Sequence, residues 1–225
     1  MNGEVVSLHA GLPRLMEEWA GSGAERAVRS GYVKAAVAGA LWVGKEHVAG
    51  DDQGDLVHHG GPDRVVLAYP AEHYPLWERE LGFRPPYGGF AENVTVAGLT
   101  EQDVCIGDVF RVGDALLQVS ETRIPCWKIA RRWNVADLLD RVLATGRTGF
   151  FLRTLREGEV RIGQTLQLVE RSYPDLSAAV VHKAYLGMTD AGVSAERLYA
   201  CRALSERQRR RFAPAKDGGS DATAP

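Results

Sequence analysis

The sequence predicts a β-rich α+β fold, in which a bent β-barrel with peripheral helices is followed by a small helical module. Three observations support this prediction. Up to residue 172, short runs of apolar, often β-branched residues are separated by glycines, as in strongly bent sheets and barrels. Two segments with helical periodicity interrupt these runs. After Tyr173 and Pro174 the helical periodicity is all that remains.

The predicted strands lie between glycines and other turn residues. The clearest signal is a hairpin, in which two apolar runs at 109–112 and 115–119 flank Gly113 and Asp114. Further strands are expected at residues 5–8, 93–96 and 163–169.

Two helices are expected among the strands. Residues 71–81 carry Trp77 and Leu81 four positions apart, and Gly82 follows. A second segment has apolar residues at 135, 138, 139, 142 and 143, the spacing of an amphipathic helix. Asn134 is its expected N-cap, and Gly146 its expected end. Its apolar face should cover one mouth or side of the barrel.

The C-terminal part should form helices that depend on the barrel. Four small or apolar residues from 176 to 184 share one helical face, and Ser194 should open a second helix containing Leu198, Cys201 and Leu204. About 40 residues cannot hold a stable core alone, so this module should pack on the barrel or on another subunit. We therefore predict a barrel domain at 1–172, a helical module at 173–213 and a disordered tail at 214–225.

The composition excludes several classes of protein. A net charge of −2 over 225 residues does not indicate a nucleic-acid or membrane-surface binder. No apolar run approaches the roughly 20 residues of a membrane helix, and residues 1–7 lack the features of a secretory signal. The three cysteines are too few and too scattered for a disulfide framework or a four-thiolate metal site. We therefore expect a protein of the reducing cytoplasm.

Cys126 is the first candidate for chemistry. It comes directly after Pro125, between a predicted strand and a predicted helix. The positive end of a helix and nearby cations favour the thiolate, the form that attacks electrophiles and binds soft metals. The alternative is a buried structural cysteine, the interpretation we prefer for Cys105 and Cys201. The cations close to Cys126 in sequence are Arg123, Lys128, Arg131 and Arg132.

Residues 55–64 form the second candidate, because they combine two histidines with Gly60 and Gly61. Glycines let the backbone approach a ligand closely, and imidazole and amide groups can bind phosphate or a carbonyl-rich ring. A zinc site would need further ligands, and no spacing to His47 or His73 requires one. An ordinary loop with exposed histidines is an equal alternative.

Arg147 and Thr148, between two glycines, form a third candidate. A guanidinium can bind phosphate through two hydrogen bonds, and a hydroxyl can add another. A helix that ends in glycine before a strand would have the same sequence, and this alternative is favoured on the segment alone. Asn93, which follows the loop at 88–92, is a further candidate for hydrogen bonding to a ligand.

Together these segments resemble the MOSC family, the molybdenum-cofactor sulfurase C-terminal domain proteins, and within it the YiiM-like subgroup. They occur in the order of the family, which is more specific than any one of them. The helical part matches the three-helix module that follows the MOSC barrel in this subgroup. The matching segments are residues 57–66, 74–77, 89–93, 99–108, 125–128 and 146–149.

The resemblance implies a barrel that binds a molybdenum cofactor of the molybdopterin type. It also implies an oxidoreductase that reduces small N-hydroxylated compounds such as hydroxylamino purines, with Cys126 as the catalytic residue and thiolate metal ligand. Arg147 and Lys34 would hold the anionic end of the cofactor. Six residues in or near the family segments are candidates for its pocket: Lys34, His59, Gly60, Asn93, Arg147 and Thr148.

Two other functions remain open. One is a non-catalytic carrier of the cofactor or of sulfur, and the other is a β-barrel interaction domain with a structural Cys126. An enzyme of this kind also needs electrons, and the sequence has neither a dinucleotide-binding glycine fingerprint nor the thiolates of an iron–sulfur cluster. We therefore expect a separate electron-donor reductase as a partner and no nucleic-acid or membrane partner. The sequence leaves the oligomeric state open, with a dimer among the alternatives.

Overall fold

The computed structural model describes residues 1–16, 28–55 and 59–214. Its strands are short, and most of them belong to one sheet. No helix in these ranges is long and apolar enough to cross a membrane. The strands are β1 (Asn2–Ala10), β2 (Arg14–Met16), β3 (Val28–Ser30), β4 (Ala35–Ala36), β5 (Ala40–Val43), β6 (Val66–Pro70), β7 (Val94–Ala97), β8 (Val109–Val112), β9 (Ala115–Thr122), β10 (Phe150–Arg156), β11 (Gly158–Arg161) and β12 (Thr165–Glu170).

Seven strands close into a barrel, which confirms the predicted fold class. Their order is β12-β8-β9-β10-β6-β7-β1, and β1 returns to pair with β12. Neighbouring strands are antiparallel except β6 and β7, which are parallel. β4 extends the sheet beside β1, while β5 with β11 and β2 with β3 form separate two-stranded ribbons. The predicted hairpin is β8 with β9, which pair Val112 with Ala115 around Gly113 at φ 53°.

Two apolar clusters hold the fold together. The larger cluster is made of strand side chains such as Val5, Phe110 and Leu152 and includes residues of the C-terminal helices. The smaller cluster is rich in aromatic residues and joins Tyr69 of β6 to Trp77 and Val142 of two helices. Burial of apolar surface is the main favourable term in both clusters.

Three helices, α1 (His73–Leu81), α2 (Lys128–Trp133) and α3 (Leu138–Thr145), lie within the barrel part of the chain. α1 and α3 end as predicted, at Gly82 and Gly146 in the left-handed conformation. The predicted start of α3 is wrong. Asn134 has φ 52° and ends α2, donating its backbone N–H to carbonyls of that helix. Asparagine serves equally at either end of a helix, because it tolerates the left-handed conformation.

The helical module contains α4 (Ala178–Tyr185), α5 (Ala195–Ala200) and α6 (Glu206–Arg210). Ser194 caps α5 as predicted, but α5 stops at Ala200, so Cys201 and Leu204 lie in the connection to α6. Both remain buried in the larger apolar cluster. The module therefore packs on the barrel of its own chain. Of the predicted tail at 214–225, all but the first residue lies outside the described residues.

Candidate functional site

A pocket lies beside the loop that connects β9 to α2, and Cys126 forms part of its wall. Four of the sequence-predicted residues line it: Lys34, His59, Asn93 and Cys126. They come from four separate segments, so the fold brings together residues that are far apart in the chain. The space is about 640 Å³, including the part open to solvent. This pocket is the candidate site.

Cys126 differs from the other two cysteines in its surroundings. All three are free thiols, but Cys126 is half-buried in the pocket wall, whereas Cys105 and Cys201 are buried. Burial raises the pKa of both Cys105 and Cys201. Thiols in such apolar surroundings are poor nucleophiles and poor metal ligands. Cys126 is therefore the cysteine that can reach a ligand in this pocket.

Two buried cations flank Cys126. Arg123 and Lys128 are only 5% and 7% exposed, and both line the pocket. Arg123 donates from Nη1 to the carbonyl of Thr148 at 3.3 Å. Within residues 1–16, 28–55 and 59–214, no carboxylate forms an ion pair with either side chain. A buried charge without a counter-charge is costly, so an anionic ligand in the pocket would be strongly favoured.

Lys34 is already neutralised by the protein. Its ammonium forms a buried ion pair with Asp51, and burial is the main cause that lowers the pKa of Lys34. Asp51 also accepts hydrogen bonds from the backbone N–H of Gly11 at 2.8 Å and from Nδ2 of Asn93 at 2.9 Å. Lys34 therefore contributes a hydrogen-bonded ion pair to the pocket wall rather than an uncompensated positive charge.

Asn93 is held at both ends of its amide. Its Oδ1 accepts the backbone N–H of Leu67 at 3.0 Å, and its Nδ2 donates to Asp51 and, at 3.3 Å, to the carbonyl of His9. This network joins β6, β7 and β1 next to the pocket. Asn93 therefore fixes the pocket wall, although sequence reasoning selected it as a ligand-binding residue.

His59 is neutral near pH 7. Burial, with a further contribution from the nearby charge of Lys128, lowers the pKa of His59 to about 4. The neutral ring can accept a hydrogen bond from a ligand at one nitrogen and donate at the other. Gly60 follows with φ 82°, a conformation that favours glycine, and makes the turn beside His59. His58, the other histidine of the segment, lies outside the described residues.

The low pKa of His59 predicts a specific pH dependence of stability. Between the ordinary pKa of 6.5 and about 4, the unfolded chain binds a proton that the folded chain does not. His59 therefore contributes a loss of stability as the pH falls through this range. We expect His59→Asn to gain stability relative to the wild type between pH 7 and pH 5, by on the order of 1 kcal/mol after allowing for partial exposure.

Urea denaturation of both proteins at the two pH values measures this difference, with exposed His47→Asn as the matched control. Equal pH dependence in the wild type and in His59→Asn would contradict the assignment.

Arg147 and Thr148 are not brought into the pocket with Cys126. The guanidinium of Arg147 pairs with Glu80 at 2.6 Å and lies over the ring of Trp77. Thr148 is fully buried, and its hydroxyl donates to the carbonyl of Gly149 at 3.1 Å. The backbone carbonyl of Thr148 accepts the hydrogen bond from Arg123, so Thr148 can affect the site only by positioning Arg123. The pocket cations that the sequence does not single out as cofactor ligands are Arg64, Arg123 and Lys128.

The loop before β7 is organised by a buried carboxylate. Glu92 is fully buried and accepts the backbone N–H groups of Gly88 at 2.7 Å and Phe90 at 3.1 Å. It also accepts hydroxyl hydrogen bonds from Tyr74 and Thr95. These contacts hold Ala91, which lines the pocket, at a left-handed φ of 67°. Such a conformation in a residue with a Cβ persists only where surrounding contacts enforce it.

We expect Glu92→Ala to destabilise the protein by at least about 2 kcal/mol, since it leaves several buried donors without an acceptor. Chemical denaturation measures the effect. Glu46→Ala, at an exposed position without these contacts, is the control and should be nearly neutral. Equal stability of the two variants would show that the Glu92 network does not hold this loop.

The helical module fixes the end of β9 that leads to Cys126. Ser205 donates its backbone N–H to the carbonyl of Ser120 at 2.9 Å and its hydroxyl to Glu121 at 2.5 Å. Gln208 donates from Nε2 to the carbonyl of Thr122 at 2.7 Å. Glu121 also accepts two hydrogen bonds from Arg64, at 2.8 and 2.7 Å. Arg64 lines the pocket, so the module contributes to the arrangement of the site.

The part of the chain that the structure describes does not contain a conventional metal centre. Among the described residues, no group of three or more His, Cys, Asp or Glu side chains could hold a metal ion. The site instead offers a single thiol with buried cations, which suits a metal that arrives with ligands of its own.

Comparisons with known proteins agree with this fold. The model of the MOSC domain matches residues 55–167. The uncharacterized protein YflK of Bacillus subtilis strain 168 is 41% identical over 213 residues, which are 95% of this chain and 94% of that protein. A protein named "Reductase" from Gibberella moniliformis is 39% identical over 129 residues, which cover 56% of this chain but only 23% of that protein.

A solved structure is similar over nearly the whole chain. The crystal structure of YiiM from Geobacillus stearothermophilus has a TM-score of 0.76 and 35% sequence identity, and the match covers 93% of this chain and 97% of that one. The chain therefore belongs to the MOSC domain family, as a YiiM-like member.

Proposed function

We propose that this protein is a molybdenum-cofactor-dependent reductase of small N-hydroxylated compounds, such as hydroxylamino purines. The membership of the MOSC family supports a function related to the molybdenum cofactor. The relative named "Reductase" supports an oxidoreductase role. The observation that carries the proposal is a half-buried thiol, that of Cys126, in a pocket with two buried cations that no described carboxylate neutralises.

The residues of the pocket fit a molybdopterin-type cofactor. Such a cofactor is anionic through its phosphate and brings two dithiolene sulfurs to the metal, so the protein needs to add one soft ligand and positive charge. Cys126 would be the soft ligand, and Arg123 and Lys128 would provide the charge. Neutral His59 and Lys34, which is paired with Asp51, are further polar residues of the pocket wall.

The bound cofactor would supply the two-electron chemistry that removes oxygen from an N–OH group. The protein itself would bind and orient the cofactor and the substrate. Arg123 and Lys128 hold anionic groups, while Asn93 and Asp51 keep the wall in place. Half-burial of Cys126 limits access of water to its sulfur.

Metal analysis together with turnover tests this proposal. Protein made in a cofactor-competent host should contain molybdenum and reduce a hydroxylamino purine with a reduced viologen as electron source. NADH or NADPH alone should not support turnover, because a separate reductase is expected to supply the electrons. Bound molybdenum without turnover would indicate a carrier, and absence of molybdenum would contradict both functions.

A further inference from the structure

Arg123 is held at the pocket by two carbonyls of one short segment, residues 147–149. Its guanidinium donates from Nη1 to the carbonyl of Thr148 at 3.3 Å, and its backbone N–H donates to the carbonyl of Gly149 at 3.2 Å. Arg123 lines the pocket beside Cys126, whereas none of the three segment residues does. Both the backbone and the side chain of Arg123 therefore depend on the position of a segment that lies outside the pocket.

A buried carboxylate, that of Glu101, fixes this segment. Glu101 is only 3% exposed, and its Oε1 accepts the backbone N–H of Gly149 at 2.6 Å. Gly149 lies close to β6, because a Cβ at this position would be 2.5 Å from the carbonyl oxygen of Ala68. Glu101 and the backbone of β6 therefore confine the segment at Gly149.

His73 orients the carboxylate of Glu101. Its Nε2 donates to Oε2 of Glu101 at 2.7 Å, which leaves Oε1 for Gly149. The ring of His73 packs edge-on against the ring of Tyr69, with the centroids 5.4 Å apart. The hydroxyl of Tyr69 donates to the carbonyl of Arg147 at 3.1 Å. The two ends of the segment are therefore held by side chains that also contact each other.

Glu101 and His73 lie outside the pocket of Cys126. They line a separate space of about 800 Å³, including the part open to solvent. Among the residues that the structure describes, the two spaces have no lining residue in common. Neither side chain is therefore placed to touch a ligand beside Cys126, and an influence of Glu101 on such a ligand has to pass through the 147–149 segment and Arg123.

We propose that Glu101 is a positioning residue for the anion site, on which it acts by fixing the segment that holds Arg123. This inference rests on the proposed function and adds a residue outside the pocket to the groups that retain the cofactor. A carboxylate that accepts a backbone N–H makes a charge-assisted hydrogen bond, which is roughly twice as strong as one between neutral groups. A guanidinium binds an anionic group through two hydrogen bonds only when its plane is correctly oriented. Loss of the charge of Glu101 should therefore weaken the hold of Arg123 on an anion.

The experiment compares Glu101→Gln with Asp108→Asn by the rate at which the loaded protein loses molybdenum during dialysis. Asp108 is a matched control, because it is a buried carboxylate that accepts the backbone N–H of Cys105 at 2.8 Å and pairs with Arg171, and it does not line the pocket. Glutamine keeps an oxygen acceptor for Gly149 but loses the charge. We expect Glu101→Gln to release molybdenum about fivefold faster than the wild type. Asp108→Asn should release it at the wild-type rate.

A double-mutant cycle tests whether the effect passes through Arg123. In the Arg123→Ala background, Glu101→Gln should not accelerate the release of molybdenum any further. An equal acceleration in both backgrounds would overturn the proposal, because Glu101 would then act on the cofactor by another route. Release from Glu101→Gln at the wild-type rate would overturn it as well.

Hydrogen exchange in the apoprotein tests the same role without the cofactor. The backbone N–H of Arg123 is bonded to Gly149 and not to Glu101, so its exchange shows whether the segment transmits the substitution. In Glu101→Gln we expect exchange at Arg123 to rise about fivefold relative to exchange in β12, since a general loss of stability would accelerate both alike. An unchanged ratio would overturn the positioning role. If the protein binds no molybdenum, the proposed function fails, but the exchange measurement still decides whether Glu101 positions Arg123.

Discussion

Cys126→Ser should lower turnover of an N-hydroxylated substrate by at least about a hundredfold, while the protein remains folded. A hydroxyl is a poor ligand for a soft metal centre, and loss of even an outer-shell group at a metal site costs 10–100-fold. Cys126 is half-buried in the pocket wall, so replacing sulfur by oxygen there removes little packing. Steady-state turnover with a chemical reductant, together with molybdenum content and thermal unfolding, measures the effect.

Cys201→Ser is the matched control for this substitution. Cys201 is fully buried in the larger apolar cluster and does not line the pocket. Its replacement should therefore affect stability more than turnover per bound molybdenum. Full turnover in Cys126→Ser with molybdenum still bound would remove Cys126 from the site, and equal loss in both variants would indicate a general effect on folding.

The parts of the fold that can be predicted from the sequence are those determined by residues adjacent in the chain. The β8–β9 hairpin follows from Gly113 and Asp114 between two apolar runs, and α3 ends at Gly146 because a left-handed residue stops a helix. The sequence predicts a barrel but not which strands close it, since β1 and β12 lie at opposite ends of the barrel part of the chain. The sequence predicts Asn134 as the N-cap of α3, but it ends α2, because asparagine suits either end of a helix.

In the candidate site too, only features set by neighbouring residues can be predicted from the sequence. Cys126 and His59 are recognised from the residues next to them in the chain, and the structure places both at one pocket. The neutralisation of Lys34 depends on Asp51, and the position of Arg147 depends on Glu80, 67 residues earlier in the chain. Ion pairs between distant segments leave no periodic signal. In the sequence, Arg123 is one of several cations near Cys126, and the sequence does not show which of them is buried.

Arg123→Ala should release the cofactor, whereas Arg147→Ala should retain it. Arg123 is 5% exposed, lines the pocket and has no carboxylate partner among the described residues, so a bound anion would be its counter-charge. Hydrogen bonds to charged groups in buried sites contribute about 1.5–3 kcal/mol, which corresponds to a loss of affinity of roughly tenfold to a hundredfold. Arg147 is engaged by Glu80 and Trp77 outside this pocket, although the family resemblance implied a role in holding the anionic end.

Molybdenum content after dialysis, compared between Arg123→Ala, Arg123→Lys and Arg147→Ala, decides between the two arginines. Arg123→Lys keeps the positive charge but cannot make two parallel hydrogen bonds as a guanidinium does. The molybdenum occupancy of Arg123→Lys should therefore lie between those of the wild type and Arg123→Ala.

Thermal unfolding of the apoproteins is a measurement that does not depend on the cofactor. In the apoprotein Arg123→Ala removes an uncompensated buried charge, so it should cost little stability or even increase it. Retention of molybdenum by Arg123→Ala together with its loss from Arg147→Ala would place the anion site at Arg147 and overturn the proposed placement of the cofactor beside Cys126.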